Sequence, residues 1–404
     1  MYDIIVIGGG ASGLMAAISA KRQTPRLSVA LLERADRVGK KLAVTGNGQC
    51  NITNIHPRRE NYHGAVDFAM DIIERFPPEK QCEFFFDIGI TVTVRENGKA
   101  YPYSLQASSV VDALRFAACE QGVTLITDKT VRSVSKRNGI FELVCSDGSF
   151  SSKSVIVACG GAAGGKLGSY DGYSILKNFS HTVTALRPSI VQLRSELPCL
   201  KALKGIKVPA RLSGGNITTD IGDLLFCDYG ISGPAVLTLS SHYKEGSAFT
   251  VCADLVPTLS EAETLGILRG KREKLPSRPA EELLSGLLHR RLGITLVKYC
   301  GISPAALIGT LSDQALENIN SVIHSLAFPI TATTGFANAQ VTAGGAVADE
   351  FTADSLRSKK ADGLFAAGEV LDVDGECGGY NLCFAWASGY VAGVGAAKYI
   401  GDTK

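Results

Sequence analysis

Gly8, Gly10 and Gly13 stand in the run Gly8-Gly9-Gly10-Ala11-Ser12-Gly13, directly after the apolar stretch Asp3 to Ile7 and ahead of a helical pattern from Leu14 to Lys21. Each glycine has its own reason to be there. Gly8 permits a tight turn, Gly10 lets the backbone approach a pyrophosphate, and Gly13 lets the helix pack on the strand. The free N–H groups and positive end of the helix then face the phosphates. Glu33 follows twenty residues after Gly13, at the end of a second apolar run, Ser28 to Leu32, where a carboxylate can accept from ribose hydroxyls. Strand, glycine turn, helix, strand and acid together indicate a dinucleotide site. An acid at this position disfavours a 2′-phosphate, hence NADP, and leaves NAD and FAD both open. Arg34, Arg37, Lys40 and Lys41 crowd the next segment, either to neutralise a pyrophosphate or as a solvated loop.

A second group lies near the far end. Gly363-Leu-Phe-Ala-Ala-Gly368-Glu369 is an apolar strand ending in a Gly-acid pair, and Gly378-Gly379-Tyr380-Asn381 leads into a helix from Asn381 to Lys398. In two-segment flavin folds such a pair meets the ribityl chain and the helix start faces the ring, where the dipole stabilises negative charge. Ala385, Gly389, Ala392, Gly393 and Ala396 are small enough to let a sheet approach that helix closely. The run Cys159-Gly160-Gly161-Ala162-Ala163-Gly164-Gly165 follows another apolar strand, Ser154 to Cys159. It lacks G-x-G-x-x-G spacing and reads as a crossover returning the chain to the nucleotide.

Several other chemistries are disfavoured. Eleven cysteines occur with no Cys-x-x-Cys pair, which argues against a structural zinc site or a redox-active disulfide and for reduced thiols. Cys50 has no His or second Cys at motif spacing and reads as a packed thiol, while Cys377 and Cys383 fit no metal motif. The six histidines show no HExxH, so no metal is expected. A formal charge of +2 supports neither nucleic acid nor an anionic membrane as the main partner. No apolar run reaches membrane-spanning length, and the chain opens on a strand without signal-peptide character. A cytoplasmic protein acting on a small molecule is expected.

The elements that must position these residues read as a split α/β domain. A strand-rich stretch, roughly Thr91 to Phe150, accompanies a helix around Val110 to Glu120. From about Leu186 short alternating segments suggest an antiparallel β unit, with a turn at Ser213-Gly-Gly-Asn216. Pro257 to Ile323 is helical in pattern. Ser260 and Glu263 fit a capping box, Leu283, Leu284, Leu287 and Leu288 form a stripe at helical spacing, and Ser303-Pro304 marks a further helix start. The β pattern returns after Pro329.

The stretch Val38 to Asn54, together with Tyr229 to Pro234, Val341 to Gly345, Gly368 to Gly375 and Gly378 to Asn381, resembles the signatures of the BaiN/RdsA-like (aminoacetone-oxidase-like) NAD(P)/FAD-dependent oxidoreductases. The resemblance covers essentially the whole chain. It implies a two-segment, glutathione-reductase-type FAD-binding Rossmann domain with an inserted β-barrel and helical-bundle subdomain. The first segment would be 1–185, the barrel 186–256 with return strands 326–343, the helical part 257–325, and the second segment 344–404. One family member is assigned to reducing C=C bonds of 3-oxo bile-acid intermediates. That implies an FAD-dependent reductase, fed transiently by NADH or NADPH, acting on C=C bonds conjugated to a ketone in 3-oxo-Δ4 or Δ4,6 bile acids or steroids. The alternatives are an oxidase of small amines using O₂ and a flavin-dependent RNA-modifying or RNA-binding protein.

Carried over residue by residue, Gly8, Gly10, Ala11, Ser12, Gly13 and Glu33 belong to the ADP half, with Arg34 beside them, and Val131 holds the adenine through its backbone. Lys40, Lys41 and the loop bearing Thr45, Asn47, Cys50 and Asn51 run along the flavin, and Gly160 sits in the crossover. Gly368, Glu369, Gly379, Tyr380, Asn381 and Leu382 belong to the ribityl and ring contacts. Asn47 stands where glycine is common in the family, and Cys159 where threonine is common. No catalytic residue is assigned; Tyr380 and Tyr229 are candidate proton donors.

Overall fold

Runs of β-branched residues at the start of the chain build a parallel sheet. In β1 (Tyr2–Ile7) Ile4, Ile5 and Val6 are fully buried, as befits a strand covered on both faces. β1 pairs in parallel with β2 (Val29–Leu32), and β2 with β3 (Thr124–Ile126). An antiparallel meander follows, formed by β4 (Val131–Arg137), β5 (Ile140–Cys145) and the long β6 (Gly148–Val157). Along its second half β6 runs parallel to β1 and to β7 (Leu364–Ala366). The last part of the chain thus supplies a strand to the sheet that the first part began.

Two helices join these parts. α1 (Ala11–Gln23) follows the glycine turn, and α2 (Tyr380–Asp402) closes the described chain. A Cβ added at Gly389 would lie 2.4 Å from the Ser12 carbonyl oxygen, and one at Gly393 2.2 Å from that of Ala16. The helices therefore meet backbone to backbone, a contact no larger residue permits.

The computed structural model describes residues 1–402. They divide into one unit from Met1–Pro188 plus the chain from Ala339 onward, and a second, Ser189–Asn338. The second unit is an antiparallel sheet with helices. Its strands run in the order Ile217–Thr218, Lys207–Gly214, Gly222–Cys227, Gly230–Ser232, Leu193–Ser195, Leu326–Thr333, Phe249–Asp254, and the last pairs again with Lys207–Gly214. Alternation sends Val208, Ala210 and Leu212, with Leu326, Phe328 and Ile330, into one core.

Its longer helices are Glu261–Lys274, Arg290–Tyr299 and Asp313–His324. Ser260 and Glu263 form the capping box that their spacing predicts. The leucine stripe at 283–288 is not a helix. A 3-10 turn at Ala280–Glu282 runs into turns, and Gly286 takes φ +78°. Leu283 and Leu284 are still buried, because the turns face the same core. Nor does Ser303-Pro304 start a helix. Ala306 N–H donates to the Ser303 carbonyl at 3.0 Å, and the carbonyls of Pro304 and Ala306 accept from Glu281 and Ala280. Tertiary hydrogen bonds take the place of helical ones, and the next helix waits for its Ser312 cap. No helix among the described residues is long and apolar enough to cross a membrane.

Candidate functional site

The glycine turn is tight where the fingerprint requires it and open where a ligand would enter. Gly8 has φ +107°, and a Cβ there would meet the Ala158 carbonyl oxygen at 2.4 Å; one on Gly13 would lie 1.9 Å from the Gly8 carbonyl oxygen. A Cβ on Gly10 would meet nothing within 4 Å. α1 begins there with no side-chain cap and no acid in its first turn. The N–H groups of Ala11, Ser12 and Gly13 are what an anion would find. The Ser12 hydroxyl points elsewhere, donating to the Ala367 carbonyl at 3.3 Å and fastening α1 to the segment after β7.

Glu33 closes β2. One carboxylate oxygen accepts from Gly9 N–H at 2.7 Å and the other from Ala35 N–H at 2.8 Å, so the side chain is held beside the glycine turn. Lys129 N–H donates to the Glu33 carbonyl at 2.8 Å, which sets the approach to β4, where Val131 is the first residue, against the end of β2. Arg34 donates to the carbonyls of Lys166, Leu167 and Gly168 and so closes the crossover turn. Lys40 pairs with Asp36 at the surface. Lys41 turns inward instead, and its Nζ lies 2.7 Å from Glu369 Oε2.

Glu369 gathers several of these residues. Gly160 and Gly161 of the crossover abut it: a Cβ on Gly160 would be 4.0 Å from Oε2, and one on Gly161 2.6 Å from Oε1. Gly368, at φ +78°, leaves only 2.4 Å between an added Cβ and Ser12 Oγ, and its N–H donates to Ser388 Oγ at 2.9 Å. The structure thus brings Lys41, Gly160, Gly368 and Glu369 together. It adds Thr342, whose N–H donates to Glu369 Oε1 at 2.8 Å. The sequence signal for Thr342 was its place in the Val341 to Gly345 motif.

The loop after Lys41 bends sharply. The Thr45 hydroxyl donates to the Leu42 carbonyl at 2.7 Å, and Asn47 and Cys50 both take φ 55°. Burial pushes the Cys50 thiol up to about 12, so it is no nucleophile near neutral pH. Burial likewise pushes Cys159 up to about 12. Asn54 Nδ2 donates to the Gly378 carbonyl at 3.1 Å and Trp386 Nε1 to the Ile52 carbonyl at 2.7 Å, lashing the loop to the start of α2. At that junction Asn51 Oδ1 is buried without a hydrogen-bond partner. A Cβ on Gly379 would lie 2.9 Å from it. A buried acceptor left so costs about 1–3 kcal/mol, which a ligand's donor would relieve.

Asn381 commits both ends of its side chain to a turn, accepting from Gly375 N–H at 2.9 Å and donating to the Gly375 carbonyl at 2.7 Å. Tyr380 meets the Tyr62 ring edge-on, and Leu382 packs on the core. Tyr229 belongs to the second unit, in the turn before Gly230–Ser232. Arg194 lies 5.7 Å from its ring centroid, and burial pushes its hydroxyl up to about 12. The open side of Gly10, the uncapped α1 start and the orphan Asn51 acceptor fit a long dinucleotide whose ring carries hydrogen-bond donors. FAD has that form.

Comparison with known proteins agrees. A family described as the HI0933-like protein Rossmann domain matches residues 2–395. The 3-dehydro-bile acid delta(4,6)-reductase of Clostridium scindens is 35% identical, over 98% of this chain and 100% of that protein. The ribosomal RNA dihydrouridine synthase of Escherichia coli is 29% identical, over 96% of each. A solved 3-ketosteroid delta1-dehydrogenase from Sterolibacterium denitrificans matches with a TM-score of 0.52 at 13% identity, over 100% of each chain, a likeness of fold alone. The FAD-binding Rossmann fold and these relatives make the protein a flavin-dependent redox enzyme. The chain belongs to the HI0933-like Rossmann-domain family.

Proposed function

We propose that the protein is an NAD(P)H-driven reductase of C=C bonds conjugated to a ketone, with 3-oxo-Δ4 or Δ4,6 bile acids or steroids as its substrates. What carries the reading is the end-to-end match, at 35% identity, to a reductase named for that chemistry. Bound FAD would supply the hydride transfer, from NADH or NADPH to the alkene carbon β to the carbonyl. The protein's part is to bind and orient. The start of α1 (Gly10, Ala11, Ser12, Gly13) and Glu33 would hold the ADP half, with the backbone of Val131 at the adenine. Lys41, Gly160, Gly368 and Glu369 would take the ribityl side. The Thr45 to Asn51 loop and Gly379 to Leu382 would face the ring, where the start of α2 favours negative charge. With one dinucleotide fingerprint in the sequence, nicotinamide and substrate would use the flavin face in turn. The repeated pairing of Phe249–Asp254 with Lys207–Gly214 supports reading the insertion as a small β-barrel with a helical subdomain.

A second reading has its own support. Two ribosomal RNA dihydrouridine synthases match at 29% and 28% identity, and saturating the uracil 5,6 bond is again reduction of a C=C bond conjugated to a carbonyl. Incubating the holoprotein and NADH or NADPH with a 3-oxo-Δ4,6 steroid or with unmodified ribosomal RNA separates the two. A steroid product heavier by two hydrogens supports the first. Dihydrouridine with an untouched steroid moves the assignment to the second.

A further inference from the structure

Thr342 is fully buried and is the fourth residue of the returning segment that begins at Ala339. Its N–H donates to Glu369 Oε1 at 2.8 Å, and its Oγ1 accepts from Ala163 N–H at 2.9 Å. The Tyr173 hydroxyl donates to the Glu369 carbonyl at 3.4 Å, so it tightens the same turn. Gly161 completes the fit: a Cβ there would lie 2.5 Å from Thr342 Oγ1 and 2.6 Å from Glu369 Oε1. Thr342 therefore joins two stretches far apart in sequence, the crossover and the turn bearing Glu369, and Tyr173 of the helix Asp171–Asn178 ties into that same turn.

We propose that Thr342 is a positioning residue, which holds Glu369 and the glycine crossover in register for the ribityl side of FAD. This rests on the FAD reading above. A carboxylate gripped by one amide and one ammonium keeps a fixed direction, and its remaining lone pairs face whatever donor enters. Ribityl hydroxyls are such donors. Without Oγ1, the buried Ala163 N–H has no acceptor and the crossover must shift to find one. Glu369 then loses the wall that Gly161 makes beside it.

The test compares Thr342→Val, which keeps the shape and deletes the acceptor, with Thr342→Ser, which keeps the hydroxyl. FAD is titrated into flavin-free protein by fluorescence quenching, and the midpoint potential of the loaded protein is measured. Thr342→Val should raise the Kd for FAD about tenfold or more, the loss of one buried hydrogen bond, and shift the potential. Thr342→Ser should stay within about threefold of wild type. Wild-type affinity and potential in Thr342→Val overturn the proposal, and so does a Thr342→Ser as weak as Thr342→Val, because that marks a packing role. If Thr342→Val does not fold, Tyr173→Phe, which removes one hydroxyl from the same network, must raise the Kd; an unchanged Kd overturns the proposal. A wild-type protein that takes up no FAD sinks the functional reading itself, whereas an unaltered Thr342→Val sinks this inference alone.

Discussion

At the scale of single residues, Glu33 shows how much one carboxylate can organise. It accepts from Gly9 and Ala35 and stands at the mouth of the glycine turn. Glu33→Arg removes both acceptors and sets a bulky cation where ribose hydroxyls would bind. Losing charge-assisted hydrogen bonds to two ribose hydroxyls, at about 1.5–3 kcal/mol each, puts the expected loss of FAD affinity at roughly 100-fold or more. A flavin titration checks this, and unchanged affinity would reduce Glu33 to a turn-closing residue. Glu33 and the three glycines are legible in sequence because local spacing alone demands them. Lys40 and Lys41 are not separable that way. One finds Asp36 four residues back, the other finds Glu369, 328 residues on. The partners of Thr342 are likewise hidden from the sequence, since only the fold brings them to it.

Among elements, the crossing of α1 and α2 leaves no room for a side chain. A side chain at Gly393 collides with backbone rather than with a movable side chain. Gly393→Val should therefore cost about 1–3 kcal/mol or more, and lower the melting temperature of flavin-free and loaded protein alike. An unchanged melting temperature would mean that the helices separate freely. A second element-scale contact ties the turns at 348–350 and 358–361 to His181. Its Nδ1 lies 2.9 Å from Glu350 Oε2, its Nε2 lies 2.7 Å from Ser358 Oγ, and its ring stacks on Phe351. Ser358 Oγ already accepts from Lys360 and Ala361 N–H, so its own hydrogen goes to Nε2 and the ring is neutral.

Burial holds His181 below its ordinary value of 6.5, outweighing the pull of Glu350, and Lys360 adds to the lowering. The unfolded chain then binds the proton more readily. Stability from the neutral ring is complete above pH 6.5 and is lost as pH falls below it. Burial of Glu350 is outweighed by Lys360 and Thr182, which bring it to about 2, so its own loss comes only below about pH 4.5. Melting curves from pH 7.5 to 5.5 should fall for wild type and run flatter for His181→Gln, which starts lower. Parallel slopes would contradict the assignment. Periodicity announces α1 and α2 in the sequence, but no local pattern announces this network. The same period misleads at Leu283 to Leu288, where Gly286 and tertiary partners turn a helical stripe into turns.

At the scale of the whole molecule, the sequence marks a change of character near Leu186, where alternation with period two replaces buried continuous strands, and a return of the β pattern after Pro329, three residues into the strand Leu326–Thr333. It holds no comparable signal for substrate. The residues around a flavin are selected to bind the flavin, and relatives of similar coverage are named for a bile acid and for ribosomal RNA. What those names share is reduction of a C=C bond beside a carbonyl. The most direct test of that claim is anaerobic mixing of FAD-loaded protein with NADH or NADPH, followed by addition of a 3-oxo-Δ4,6 steroid, with absorbance followed near the flavin maximum. Nicotinamide should bleach the flavin, and the steroid should restore the colour mole for mole. Flavin that neither NADH nor NADPH bleaches, while a small amine does and O₂ restores it, would contradict the account and make the protein an oxidase.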